Sequence, residues 1–175
     1  MSAKVKIVTD SSAYPEPEVI AKHDIRVVPL RVAFGSEVFA EGVDITNEEF
    51  YQRLARGGKL PTTSQPSVAD FIKVYRELAE QGHPVLSIHI SSKLSGTCAS
   101  ALAAKNALPQ AQIEIVDALT IAMGMLIPPA AEAAERGETL SQIMASIEKL
   151  NKCIKVIGAF DTLEYLLERR ADWGS

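Results

Sequence analysis

Apolar positions along this chain recur at two periods, alternate in some stretches and three or four apart in others, and the changes of period mark out the elements. Val5-Lys6-Ile7-Val8-Thr9 alternates and is β-branched, then stops at Asp10-Ser11-Ser12, a turn-and-cap cluster that ends a first strand. Pro15 and Pro17 suit the first turn of a short helix through Ala21. Ile25 to Val32 is apolar enough for a buried strand, with Pro29 removing a ladder donor and indicating an edge or a bulge. Phe34-Gly35-Ser36-Glu37 ahead of Val38-Phe39 predicts a small hairpin. Thr46 and Glu49 are spaced as a capping box, so a helix should run from there to about Ala55 and end at Gly57 and Gly58.

After a loop from Leu60 to Pro66, Phe71, Val74, Tyr75 and Leu78 define one apolar helix face, closed by Gly82. Val85 to Ile90 is another strand; Ser91 to Gly96 forms a loop, and an alanine-rich helix follows from about Thr97 to Ala107. Ile113 to Val116 is a strand ending at Asp117. Ile121 to Arg136 has helical composition, but Pro128 and Pro129 withhold two amides, which predicts a kink or break. Leu140, Ile143, Met144, Ile147 and Leu150 form a helical stripe, Lys155 to Phe160 a last strand, and Leu163 to Leu167 the start of a last helix. Strands alternating with helices in this way predict an α/β, doubly wound, mostly parallel sheet with helices on both faces.

Length and charge narrow the function classes. The 175 residues fit one compact domain. A formal net charge of −4 with both signs interleaved lacks the basic footprint of nucleic-acid binding. The short apolar run ending at Asp10 is too brief for a signal peptide or a membrane span, so a cytoplasmic protein is expected. Cys98 and Cys153 have neither disulfide nor zinc spacing and read as buried free thiols. No GxxxxGK[ST] phosphate cradle occurs, and no metal or cofactor is expected.

In an open parallel sheet, ligands bind beyond the carboxyl ends of the strands, where helix N-termini converge with free amides. Three hydroxyl-bearing segments fall at that edge: Thr9-Asp10-Ser11-Ser12, Thr62-Thr63-Ser64-Gln65-Pro66-Ser67, and Ser91-Ser92-Lys93-Leu94-Ser95-Gly96-Thr97. Many neutral donors and little positive charge suit a carboxylate or phosphate held by hydrogen bonds. Each segment taken singly also reads as a helix N-cap. Lys93 either steers an anionic ligand or is merely solvated. A serine hydrolase acting through Ser95 or Ser12 would need a histidine base and lacks the GxSxG elbow. His89 reads as packed or hydrogen-bonded in its strand, and His23 and His83 as solvated beside turns. Glu48-Glu49, and Glu16 with Glu18, complement helix dipoles.

Val8-Thr9-Asp10-Ser11-Ser12, Val27-Val28-Pro29-Leu30, Gly42-Val43-Asp44-Ile45, Leu60 to Ser67 and Ile90 to Thr97 resemble, in order and spacing, the signature blocks of the bacterial DegV family. The resemblance covers the chain to Tyr165. It implies a bilobed, non-catalytic carrier that closes over one long-chain fatty acid, its carboxyl group hydrogen-bonded at the positions of Thr63 and Ser95. Thr62, Ser64, Ser92 and Gly96 would complete the two loops, and Asp10 and Ser12 the supporting wall. It also implies a partner fatty acid kinase, to which the carboxylate is presented for phosphorylation. Residues 1–165 correspond to the N-terminal lobe of such a protein; 166–175 diverge, and the second lobe is not in this sequence. Asp117-Ala118 stands where the family has aspartate-serine, and Pro128-Pro129 interrupts a stretch that is helix in the family. A lone lobe leaves the strand-end edge uncovered, which predicts self-association through that edge and the Leu163, Leu166, Leu167 and Trp173 face, or weak lipid binding. Two other readings stay open: a non-binding interaction module, and a small hydrolase using Ser95.

Overall fold

The computed structural model describes residues 3–57, 60–119, 122–155 and 157. Four parallel strands lie in the order β2-β1-β6-β7: β1 (Lys6–Asp10), β2 (Arg26–Val28), β6 (Val85–Ile90) and β7 (Ile113–Ala118). A second, antiparallel sheet in the order β4-β3-β5 is built from β3 (Arg31–Phe34), β4 (Glu37–Ala40) and β5 (Thr62–Ser64). The helices are α1 (Pro17–His23), α2 (Asn47–Ala55), α3 (Val68–Glu80), α4 (Thr97–Asn106), α5 (Met123–Glu135) and α6 (Leu140–Cys153), and a 3-10 turn, Ser11–Ala13, follows β1.

The parallel sheet is covered on both faces, as its strands' near-continuous burial requires. On one side Ile7, Leu86, Ile88 and Val116 pack with Leu126, Ile127, Ala130 and Ala134 of α5 and Ile143 and Ile147 of α6. On the other, Val8, Val28, Val85 and Ile113 meet Phe71, Tyr75 and Leu78 of α3 and Ala101 and Ala104 of α4. The doubly wound expectation therefore holds, with the order reversing between β1 and β6.

Five local expectations differ from what forms. Ile25 to Val32 is two strands in different sheets: Pro29 has no amide to continue the ladder, so β2 ends as the sheet's edge and the chain crosses to β3. The 60–66 stretch is not all loop, because Thr62, Thr63 and Ser64 pair antiparallel with Ala33, Val32 and Arg31; polar residues with no alternation gave no signal for that strand. α5 runs through Pro128 and Pro129 without a break. The amides they lack would have bonded the carbonyls of Gly124 and Met125, both exposed and so open to solvent, while Leu126, Ile127, Ala130 and Ala131 anchor the helix by burial. His23 is buried with Nδ1 2.8 Å from Glu135 Oε1, and His83 is tied by Nδ1 to the Lys4 carbonyl at 2.8 Å, so neither is simply solvated. Of the cysteines, Cys98 is buried but Cys153 is exposed. Gly58 and most of the last predicted strand and helix, with Trp173 and the 166–175 tail, lie outside the described residues.

Capping decides where the site-bearing helices begin. The Thr46–Glu49 box forms as expected, and Ser67 caps α3 in the same way: its hydroxyl accepts from Asp70 N at 3.1 Å while Asp70 Oδ2 accepts from Ser67 N at 3.0 Å. Arg31 Nη2 lies 3.3 Å from the Asp70 carboxylate and ties this helix start to the small sheet. Burial would raise the Asp70 pKa, but the Ser67 bonds and Arg31 outweigh it and hold the group below its usual value. Replacing Ser67 by Ala should lower stability by about 1 kcal/mol, read as a reduced urea midpoint with unchanged slope.

Candidate functional site

The carboxyl ends of β1 and β6 meet at the reversal of strand order, the place where an open α/β sheet forms a crevice. Asp10, the last residue of β1, is fully buried there. Its Oδ1 accepts the Ser12 amide at 3.1 Å and the Ser12 hydroxyl, and its Oδ2 accepts Ile90 N at 3.2 Å and faces His89 Nδ1 at 3.0 Å. One carboxylate thus fastens the turn after β1 to the end of β6. Burial pushes the Asp10 pKa up, but His89, Ser12 and the Ile90 amide together prevail and keep it below the usual carboxylate value.

The adjoining hydroxyls divide into two kinds. Ser11 donates to Glu41 Oε2 at 2.6 Å and Ser92 to Asp117 Oδ2, so with Ser12 on Asp10 three serine protons are committed to carboxylates. These residues brace loops; their hydrogens are not available to an anion. Ser95 is different: its oxygen accepts Thr97 N at 3.3 Å and shares a 2.9 Å hydrogen bond with Thr97 Oγ1, so that pair of hydroxyls keeps a proton to donate. Thr62, Thr63 and Ser64 are exposed on β5, with hydroxyls free to turn. α4 starts at Gly96, which has no side chain to cap it; Ser95 Oγ holds the Thr97 amide, and the Cys98 and Ala99 amides of the first turn have no side-chain cap among the described residues.

Gln65 joins the two donor loops. Its side chain lies over Gly96 so closely that a Cβ built there would stand 2.5 Å from Gln65 Nε2. The structure therefore brings the Thr62–Ser64 and Ser91–Gly96 loops together, while Asp10, Ser12 and Ser92 serve as bracing beside them. Gly96→Ala should leave stability within about 1 kcal/mol of wild type, because the end of an exposed glutamine can swing away, yet it should separate the loops; a crystal structure of the variant with Gln65 unmoved would refute this.

Cys98, behind the serine loop, donates to the Ile90 carbonyl at 3.3 Å, and burial, with the Asp117 and Asp10 charges, pushes its pKa up to about 12. It is inert as a thiolate at neutral pH. No histidine hydrogen-bonds to Ser95 among the described residues: His89 is held by Asp10 and Ser87, His23 by Glu135. Tyr14, Leu94, Leu119 and Met125, on the segments that follow β1, β6 and β7, are exposed by 65%, 50%, 43% and 61%. A groove of about 830 Å³ lies at the opposite end of the strands, by Val5, Pro84 and Ile113; four glutamates, Glu114, Glu135, Glu138 and Glu148, outnumber its two lysines, Lys4 and Lys105, which are paired with Glu135 and Glu114, so an anion is disfavoured there.

Fold and crevice together define a doubly wound α/β protein whose strand-end edge is rich in hydroxyls and braced by carboxylates, with one lysine, Lys93, in its two donor loops. The family model matching residues 4–169 is that of DegV proteins, and the chain belongs to the DegV family. It is 39% identical over 166 residues to a DegV domain-containing protein of Clostridium perfringens, covering 94% of this chain and 60% of that one. With Protein DegV of Bacillus subtilis it shares 32% identity over 165 residues, 93% of this chain and 59% of that one. The chain thus spans about 60% of the length of these curated relatives. Among solved structures it superposes on a DegV family protein from Thermus thermophilus described by its fatty acid binding, at a TM-score of 0.77 and 38% identity over 85% of this chain and 54% of that one. A stearic acid-binding protein from Eubacterium ventriosum matches at 0.76 and 38% over 82% and 52%. No helix among the described residues is long and apolar enough to cross a membrane.

Proposed function

We propose that this chain binds the carboxyl group of a long-chain fatty acid at the strand-end crevice, with Thr63 and Ser95 as its direct hydrogen-bond donors. The observation that carries this reading is the Gln65–Gly96 contact, which sets the β5 hydroxyls and the Ser95–Thr97 pair, none of them bonded to a carboxylate, on adjoining segments. The uncapped start of α4 adds amide donors and the positive end of a helix dipole. Tyr14, Leu94, Leu119 and Met125 offer apolar surface beside the head group, and a tail gains about 0.8 kcal/mol for each methylene it buries. Thr62 and Ser64, on the opposite face of β5, keep Thr63 in register with Val32, Gly96 lets the loops approach, and Asp10, Ser12 and Ser92 keep the walls in place. The fatty-acid-binding relatives of known structure support the same ligand class. A carboxyl group held at an exposed hydroxyl edge stays accessible to a second protein, which fits a non-catalytic carrier presenting it to a partner kinase.

Replacing either Thr63 or Ser95 by Ala removes one hydrogen bond to a charged group, worth about 1.5–3 kcal/mol, or roughly 10- to 150-fold in affinity. Titration with a fluorescent long-chain fatty acid, beside thermal unfolding of each variant, tests this. Wild-type affinity in the double variant would refute the site. Release of alcohol from an acyl ester, lost in Ser95→Ala, would replace the carrier with a hydrolase.

A further inference from the structure

Behind Asp10 lies a chain of buried polar groups that ligand binding as described does not use. Tyr75 of α3 donates its hydroxyl to Ser87 Oγ at 2.7 Å; Ser87 Oγ is 2.6 Å from His89 Nε2; His89 Nδ1 is 3.0 Å from Asp10 Oδ2; and Asp10 Oδ1 holds the Ser12 hydroxyl and amide. Tyr75, Ser87, His89 and Asp10 are all 0% exposed. The order serine, histidine, aspartate is that of a hydrolytic triad, but no substrate can reach a serine sealed under α3.

The directions of these bonds are set by chemistry. A tyrosine hydroxyl spent on Ser87 leaves that serine's own proton for Nε2, an arrangement in which the imidazole carries its proton on Nδ1 and donates to Asp10. Phe71 meets the ring edge-on at 4.9 Å and 79°, restricting it from the side. The ring is thus held from behind, from the side and from in front. Asp10 receives one donor from His89, one from Ile90 and two from Ser12, which fills both oxygens of a carboxylate spanning the ends of β1 and β6.

We infer that His89 is a positioning residue of the crevice: anchored by Ser87 and Tyr75, it fixes Asp10, and through Asp10 it locks the turn after β1 to the end of β6, from which the Ser95 loop springs. Tyr75 belongs to the helix that directly follows the Thr62–Ser64 strand, so one buried chain references all three loops of the edge to each other. Only the ligand arm of the test rests on the carboxylate-binding reading.

Two substitutions separate positioning from bulk stability. His89→Asn keeps an N–H near the Nδ1 position for Asp10 and abandons Ser87; His89→Gln places its amide near the Nε2 position and leaves Asp10 Oδ2 without a side-chain donor. Amide hydrogen exchange at Ser12 and Ile90 should quicken about tenfold or more in the Gln variant, beyond its change at core amides of β7, and recover to within about threefold of wild type in the Asn variant. Affinity for palmitate should follow the same order. Equal exchange at Ser12 and Ile90 in the two variants, or exchange in the Gln variant matching wild type, overturns the inference. Wild-type protein gives a reading even if both variants unfold: a long-range proton–nitrogen spectrum should show His89 as the neutral Nδ1–H tautomer, and an Nε2–H tautomer refutes the chain as drawn. Should the exchange pattern appear while palmitate fails to bind wild type, the ligand assignment is wrong and the positioning role stands; palmitate binding without the pattern gives the reverse.

Discussion

Asp10→Ala should destabilise the domain by about 3–5 kcal/mol, the expected range when one member of a buried hydrogen-bonded pair is removed and its partners stay behind. The loss leaves the His89 Nδ1–H, the Ile90 amide and the Ser12 amide without their acceptor, at a residue that is itself 0% exposed. The same group gives the protein an acid limb. Its folded pKa is depressed below the ordinary 3.8, so the unfolded chain binds the proton more readily. The stabilisation is complete above the unfolded value and is lost as pH falls from there through the folded value. Asp24 and Asp70 act in the same direction through Lys6 and Ser67, so the wild type keeps an acid slope from several groups. Denaturant unfolding of wild type and Asp10→Ala between neutral pH and pH about 3 should show the gap narrowing toward the acid end; a constant gap would mean that Asp10 titrates alike in the folded and unfolded chain, and a gap widening toward acid that it is protonated in the native state.

Phe71→Ala should have a comparable effect, about 3–5 kcal/mol, by leaving a cavity in the closed layer between the sheet and α3. Phe71 is 0% exposed and touches Tyr75 at a centroid distance of 5.7 Å and the His89 ring at 4.9 Å. Its removal also frees the imidazole laterally, which couples this core position to the crevice. Phe71→Leu, which keeps most of the volume, should lose much less. A double-mutant cycle of Phe71→Ala with Asp10→Ala should give a coupling of at least about 0.5 kcal/mol, since both bear on His89. Additive losses would show that the aromatic contact and the polar chain are independent.

Periodicity alone specified most of the parallel sheet and its helices. The strand at Val85 and the helix stripes at Phe71, Tyr75, Leu78 and at Ile143, Ile147 lie where the apolar repeats put them, because burial on a sheet face demands those repeats. The capping box at Thr46 was legible for a similar reason: the interaction is local and its partners are three residues apart. The hydroxyl-rich segments could also be read as one edge, since every parallel strand delivers its following loop to the same end.

What required the tertiary structure was each pairing between distant residues. Thr62–Ser64 becomes a strand only because β3 offers a free edge beside it, and Gln65 meets Gly96 only once β5 and the β6 loop converge. The sequence does carry one sign of the buried chain: Ser87 and His89 stand two apart in an otherwise apolar strand, hence on the same face, where polar groups must find partners. It cannot say that the partners are Tyr75 and Asp10, whose separation along the chain leaves no local pattern. Nor does it distinguish Ser12 and Ser92, whose protons go to carboxylates, from Ser95, whose hydroxyl shares with Thr97. A hydroxyl's chemistry depends on which acceptor the fold sets beside it, and periodicity carries no record of that.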